Sequence, residues 1–349
     1  MARITNLFNE KVYIFSGKKE VYENEKNLII DLMHNHDLGN VLKVDFIDAN
    51  LNNDVFSVET EIGKFCVKLS LDSESSNLQK EFKILQKNIG QKISTFPIAY
   101  GIENSVEYSI AAMLQMPNVM SAGVLSVVDQ EHALPFFFKQ LNGFAPVEGV
   151  ESVSEYLDSY IDFDILKVPD AETDWIKNHG QIRRLISEEI LYLQNILRSK
   201  KNLVDFSSQN LCHGNLNQST LLILGDYIHA INWENAYIGD PLLDLLSVRY
   251  ELFFSEKFED SLIKKYYESI NQSINEPRLH RMRMFARYFN LLKIMVDYLK
   301  EVYVLKAYKK NKILNCAIKF SKNYDSFYQL PSFDKKLKPI AEFFVSSVI

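Results

Sequence analysis

Apolar and polar positions along the chain change period several times, and each change marks an element. Between residues 20 and 36, Val21, Leu28, Ile29 and Leu32 stand among charged positions, the pattern of an amphipathic helix. From Val41 to Ser70 the period shortens to two. VLKVDFIDA, NDVFSVETE and KFCVKLS alternate and are rich in β-branched residues, with Ile62-Gly63-Lys64 as a turn, so they read as an antiparallel meander. Residues 77–89 return to helical spacing, with Leu78, Phe82, Leu85 and Ile89 on one face, Ser76 or Asn77 as cap and Gly90 as terminator. EYSIAAMLQM, residues 107–116, is a further strand-like run closed by Pro117 and Asn118.

From about Ser121 onward long helical patterns dominate. Residues 181–199 repeat Ile182, Leu185, Ile186, Ile190, Leu193 and Leu197, and residues 279–305 repeat Leu279, Met282, Phe285, Phe289, Leu292 and Met295. A small β-rich lobe, 1–116, therefore precedes a larger helical lobe, 117–349, and the expected fold class is α+β. The absence of a 20–50-residue repeat excludes a solenoid.

Composition narrows the function classes. In 349 residues, 47% are hydrophobic and 24% charged, which suits a soluble globular protein, while 12 Gly and 9 Pro are too few for a low-complexity chain. The net charge of −6, without a basic stretch interleaved with aromatics, argues against a nucleic-acid partner. Cys66, Cys212 and Cys316 lie far apart with no C-x-x-C pairing, so neither a disulfide framework nor a zinc ribbon is indicated and a reducing compartment is expected. Arg3, Glu10, Lys11 and Lys18 interrupt any signal-peptide core, and no run approaches the ~20 apolar residues of a membrane span. The expectation is a cytoplasmic protein with no membrane partner.

The stretch LCHGNLNQSTLLILGDYIHAINWENAYIGDPLLDLL, residues 211–246, carries the chemistry. Leu221–Leu224 and Tyr227–Ile231 are short apolar runs separated by Gly225-Asp226, a strong hairpin signal. A hairpin joins its outer ends, so the polar cluster from His213 to Thr220 must lie beside the cluster from Asn232 to Asn235. Trp233, Tyr250, Phe253, Phe254 and Tyr288 read first as core aromatics and second as the lining of a pocket for a cationic or sugar-like ligand.

This stretch resembles the aminoglycoside phosphotransferase and choline kinase family, whose members carry H-G-D-x-x-x-x-N, a hairpin, I-D-W-E and G-D-P-x-x-D-L. The matching residues are His213-Gly214-Asn215, Thr220, Ile231-Asn232-Trp233-Glu234, Gly239-Asp240-Pro241 and Asp244-Leu245. The resemblance implies a two-lobed protein-kinase-like fold and ATP as nucleotide. It makes Asn215 the position of the catalytic aspartate, Thr220 and Asn232 the positions of the metal ligands, and His213, Asp240 and Asp244 structural residues. It also makes Lys68, on KFCVKLS, the phosphate-pairing lysine and Glu81 its ion-pair partner, and it makes Leu114 and Met116 part of the adenine-contacting link between lobes. No glycine occurs in residues 44–61, so the phosphate-covering loop departs from a Gly-rich pattern.

Three central positions also depart. An asparagine amide is neutral and cannot take a proton, so Asn215 lacks the base function of an aspartate. Magnesium favours carboxylates and phosphate oxygens in tight octahedral geometry, so the hydroxyl of Thr220 and the amide of Asn232 should bind it poorly. The expectation is a kinase-fold protein impaired in transfer that acts by binding a nucleotide, a small molecule or a protein partner. The alternative is an active ATP-dependent phosphotransferase for an amino alcohol, aminoglycoside or sugar, its atypical metal site built on Glu234 and Asp240.

Overall fold

The computed structural model describes residues 19–49, 53–70, 77–89, 95–113, 120–121, 127–165, 180–217, 220–224, 227–252, 255–303 and isolated positions from 319 to 342. The chain opens with helix α1 (Lys19–Asn35), followed by β1 (Val41–Ala49), β2 (Asp54–Thr60), β3 (Lys64–Ser70), α2 (Leu78–Lys87), β4 (Phe96–Glu103) and β5 (Val106–Ala112). These five strands form one antiparallel sheet in the order β1-β2-β3-β5-β4.

Alternation along β3 sorts its two faces. Phe65, Val67 and Leu69 pack with Phe56, Val58 and Ile110 against Ile29, Leu32 and Met33 of α1, which closes the outer face. Lys68 therefore points to the inner face, toward α2. The β4–β5 hairpin was not evident from the apolar pattern. Its turn residues Asn104 and Ser105 both adopt positive φ, 49° and 66°, which suits the twist of a two-residue hairpin. Helix α2 sits between the sheet and the second lobe, so its buried side is Leu78, Glu81, Ile84 and Leu85. Ile89, expected on the buried face, is exposed because the helix has already ended.

The second lobe contains β6 (Met120–Ser121), α3 (Val127–Leu141), α4 (Val153–Ile161), α5 (Gly180–Lys200), β7 (Asn210–Cys212), β8 (Leu221–Leu224), β9 (Tyr227–Ala230), β10 (Tyr237–Gly239), α6 (Pro241–Leu252), α7 (Glu256–Ser269) and α8 (Glu276–Tyr303). Helix α8 packs on α4, α5 and α6, and α3 packs on α7. Ile186, Ile190, Leu193 and Leu197 of α5 and Phe285, Phe289 and Leu292 of α8 are fully buried in one core with Phe137, Phe138 and Leu157. Trp233, Tyr250 and Tyr288 are buried in this core; Phe253 and Phe254 lie outside the described residues. No described helix is long and apolar enough to cross a membrane.

Helix α4 opens with a complete capping box. The Ser152 hydroxyl accepts from Glu155 N, and the Glu155 carboxylate accepts from Ser152 N. The same turn grips β10, since Ile238 N donates to Glu151 O at 2.7 Å. Ser152→Ala should lower the unfolding free energy by about 1 kcal/mol, read as a shift of the urea midpoint at constant slope.

Candidate functional site

Two short antiparallel pairings build the site from below. Strand β7 pairs with β10, and β8 pairs with β9, so the loop after β7 and the loop after β9 emerge side by side. Thr220 and Ile231 close the hairpin base through Ile231 N to Thr220 O at 2.9 Å.

The loop after β7 is held by buried polar groups. Asp244, in the first turn of α6, accepts from the backbone N–H groups of His213 (2.6 Å) and Gly214 (3.1 Å), and from the Tyr237 hydroxyl. Gly214 has φ of 76°, and a Cβ there would stand 2.1 Å from the Asn235 carbonyl oxygen, so only glycine fits. Tyr156 of α4 stacks on Tyr237 and donates to Gly214 O at 2.7 Å. Asp240 caps α6 through Leu242 N and pairs with Arg278 of α8.

His213 bridges the two loops. Its Nε2 donates to Ile231 O at 3.0 Å, which leaves Nδ1 to accept from Asn215 N at 3.3 Å. The ring also packs on Trp233, which stacks on Phe144. Burial pulls His213 down to about 4, and it lifts Asp244 to about 6 against the backbone N–H groups that favour its charge.

Asn215 accepts at Oδ1 from Lys293 Nζ of α8 (3.1 Å) and from Asn217 Nδ2 (3.2 Å). Thr220 is buried, and its hydroxyl donates to Asn215 O at 2.8 Å while accepting from Asn217 N at 2.8 Å, so it serves as a clasp inside the loop. Asn232 adopts φ of 63°, a left-handed conformation that Asn and Asp tolerate better than most residues.

Lys68 meets the second loop. Its Nζ lies 2.7 Å from Glu81 Oε2, 2.8 Å from Asn232 Oδ1 and 2.7 Å from Glu234 Oε1, so each ammonium hydrogen has an acceptor. Glu81 Oε1 accepts from Trp233 N, which ties α2 to the same turn. Burial opposes the ammonium, but the two carboxylates outweigh it and keep Lys68 charged well above its ordinary value. One ammonium between two buried carboxylates leaves an excess negative charge, and burial holds Glu81 above the usual carboxylate range.

The structure thus brings Lys68, Glu81, Asn232 and Glu234 into one cluster, and joins Asn215 to it through His213 and Ile231. Leu114 and Met116 lie outside the described residues. The sequence reading missed Lys293. Its signal was a lysine inside the apolar run Leu291-Leu292-Lys293-Ile294-Met295, at a helical position that otherwise faces the core.

No protein-family model matches the sequence, and neither does any curated protein. Solved structures do match. Spectinomycin phosphotransferase APH(9)-Ia, in complex with ADP and spectinomycin, superposes with a TM-score of 0.59 at 12% identity, over 92% of this chain and 98% of that one. The fold is that of the aminoglycoside phosphotransferases and choline kinases. A thermostable mutant of aminoglycoside phosphotransferase APH(4)-Ia gives a TM-score of 0.58 at 12% identity, over 84% and 98% of the two chains. Choline kinase from Cryptosporidium parvum Iowa II gives 0.57 at 14% identity, over 92% and 99%. Within this kinase-like fold, the five-stranded sheet carries Lys68 and the helical lobe carries the loops after β7 and β9.

The two buried titrating groups beneath the loop have opposite effects on stability. His213, lowered from 6.5 to about 4, is protonated first in the unfolded chain, so its contribution falls as the pH drops from about 6.5 toward 4. Asp244, raised from 3.8 to about 6, is protonated first in the folded chain, so its contribution is present at low pH and lost as the pH rises through about 6. His213→Gln removes only the first effect. The destabilisation it causes should therefore shrink by about 2 kcal/mol between pH 6.5 and 4.5, measured by urea unfolding of both proteins at each pH.

Proposed function

We propose that this kinase-fold protein binds a nucleotide or small molecule between its lobes and transfers phosphate poorly or not at all, as a pseudokinase does. The observation that carries the reading is the Lys68 cluster with Asn232 inside it. At the position where the resemblance calls for a metal-holding aspartate, a neutral amide oxygen accepts from Lys68 itself at 2.8 Å.

The donor set does not fit magnesium. Thr220 commits its hydroxyl within the loop, Asn232 offers an uncharged carbonyl, and Glu234, the one carboxylate of that turn, pairs with Lys68. Asp240 is committed to the α6 cap and to Arg278. At Asn215 no carboxylate is present to orient or accept a hydroxyl proton. What the cluster supplies is a fixed cation, the kind of group that pairs with a nucleotide phosphate once it exchanges Glu234 for a phosphate oxygen.

The structural neighbours support a small-molecule ligand: one was solved with ADP and spectinomycin, another with ADP and hygromycin B. The atypical-enzyme reading keeps one argument, that the Glu234 carboxylate sits beside Asn232 and would be available to a metal if Lys68 turned to phosphate.

A thermal-shift titration separates these readings. ATP should stabilise the wild type to the same extent with and without magnesium, whereas Asn232→Asp should make magnesium sharpen ATP binding by tenfold or more. Wild-type turnover of ~1 s⁻¹ or faster against an amino alcohol, aminoglycoside or sugar would establish the atypical enzyme instead.

A further inference from the structure

Lys68 and Lys80 are matched to their carboxylates in opposite ways. Lys68 has more negative charge than it needs: Glu81 and Glu234 both lie 2.7 Å from its Nζ, and Asn232 takes the third hydrogen. Lys80, the residue before Glu81 on α2, has less. Its side chain is 9% exposed, yet the carboxylate of Glu151 stands 3.5 Å away on a side chain that is 43% exposed, at the outer edge of hydrogen-bonding range. Burial pulls the Lys80 amine below its ordinary value against the charges of Glu151 and Glu234, so the field of Glu234 already reaches it.

The two carboxylates on Lys68 also differ. Glu81 is held a second time, by Trp233 N at 3.2 Å, and moving it would release the turn that it ties to α2. Glu234 is a buried side chain of that turn. Because all three ammonium hydrogens are committed, a phosphate oxygen reaches Lys68 only by taking an acceptor's place. Displacing Asn232 would crowd two carboxylates and a phosphate onto one ammonium. Displacing Glu234 with no cation to receive it would strand a buried charge. Lys80 removes that obstacle: with Glu234 on Lys80, each buried carboxylate keeps an ammonium, while Glu151 turns to solvent.

We propose that Glu234 is an autoinhibitory stand-in for phosphate on Lys68, and that Lys80 is the positioning residue that receives Glu234 when a nucleotide phosphate takes its place. The inference deepens the nucleotide-binding reading above and rests on it. In the empty protein the Glu234 carboxylate makes the charge-assisted contact that a phosphate oxygen would make. Nucleotide affinity is therefore set by competition, and part of the binding energy goes into moving one side chain. Lys80 acts through Glu234 and touches no phosphate, which separates its role from that of Lys68.

Calorimetric titration of the full chain with ATP, as wild type, Glu234→Gln, Lys80→Met and the double variant, tests this. The amide in Glu234→Gln keeps the shape but loses the charge that competes with phosphate, so ATP should bind tighter by about tenfold or more. Lys80→Met should weaken ATP by about tenfold in the wild-type background. In the Glu234→Gln background it should leave ATP within about twofold, since no carboxylate then needs a receiver. A weaker or unchanged affinity in Glu234→Gln, or an effect of Lys80→Met that is the same in both backgrounds, overturns the proposal and leaves the nucleotide reading standing. If Lys80→Met fails to fold, Glu151→Gln decides: it frees Lys80 of its rival and should tighten ATP, and an unchanged affinity there overturns the proposal. Uptake of ATP by neither wild type nor Glu234→Gln defeats the nucleotide reading itself, and the exchange at Lys68 with it.

Discussion

The Lys68 ammonium lies where three parts of the chain converge: strand β3 carries it, α2 supplies Glu81, and the turn after β9 supplies Asn232 and Glu234. A buried cation is tolerated only when its hydrogens are met by acceptors. That requirement fixes the sheet, α2 and the second lobe against one another more narrowly than apolar contact does, because hydrophobic burial is indifferent to direction and an ammonium is not. The Glu81 carboxylate extends the constraint by accepting from Trp233 N, so the loop backbone is held as well as its side chains. Breaking one member leaves charge without a partner in a buried site, so the cluster behaves as a unit.

The second loop is built on a different principle. Beneath Asn215 the residues are held by a carboxylate that accepts backbone N–H groups, a neutral imidazole that spans two loops, and a glycine pressed against a carbonyl. None of these needs a metal or a ligand to be satisfied. The loop is thus self-supporting, while Asn215 and Asn217 on it are neutral amides. Scaffold and chemistry are separable in this region, because the groups that hold the loop are not the ones that face outward from it.

Much of this arrangement was legible in the sequence because it depends on local rules. The two short runs around Gly225-Asp226 place His213 beside Asn232 through pairing alone, and the alternation of KFCVKLS puts Lys68 opposite the apolar face. What stayed hidden depends on tertiary contact. The β4–β5 hairpin carries Pro97 and polar turn residues that blur its period. Lys293 reaches Asn215 from a helix 78 residues downstream, a juxtaposition that no periodicity encodes. The role of Thr220 was also out of reach, since a hydroxyl at that spacing serves a loop clasp or a metal equally well until its partners are known.

Trp233 joins these pieces in a further way. Its indole stacks on Phe144 and touches the His213 ring, its N–H donates to Ala230 O, and its backbone N–H rests on Glu81. One of only two tryptophans in the chain is thus fully buried within a few ångströms of both loops. Its emission wavelength depends on the same contacts that hold Lys68 and Asn215 in place. The protein therefore contains an intrinsic optical probe at the joint between its lobes, one that senses rearrangement there without any label.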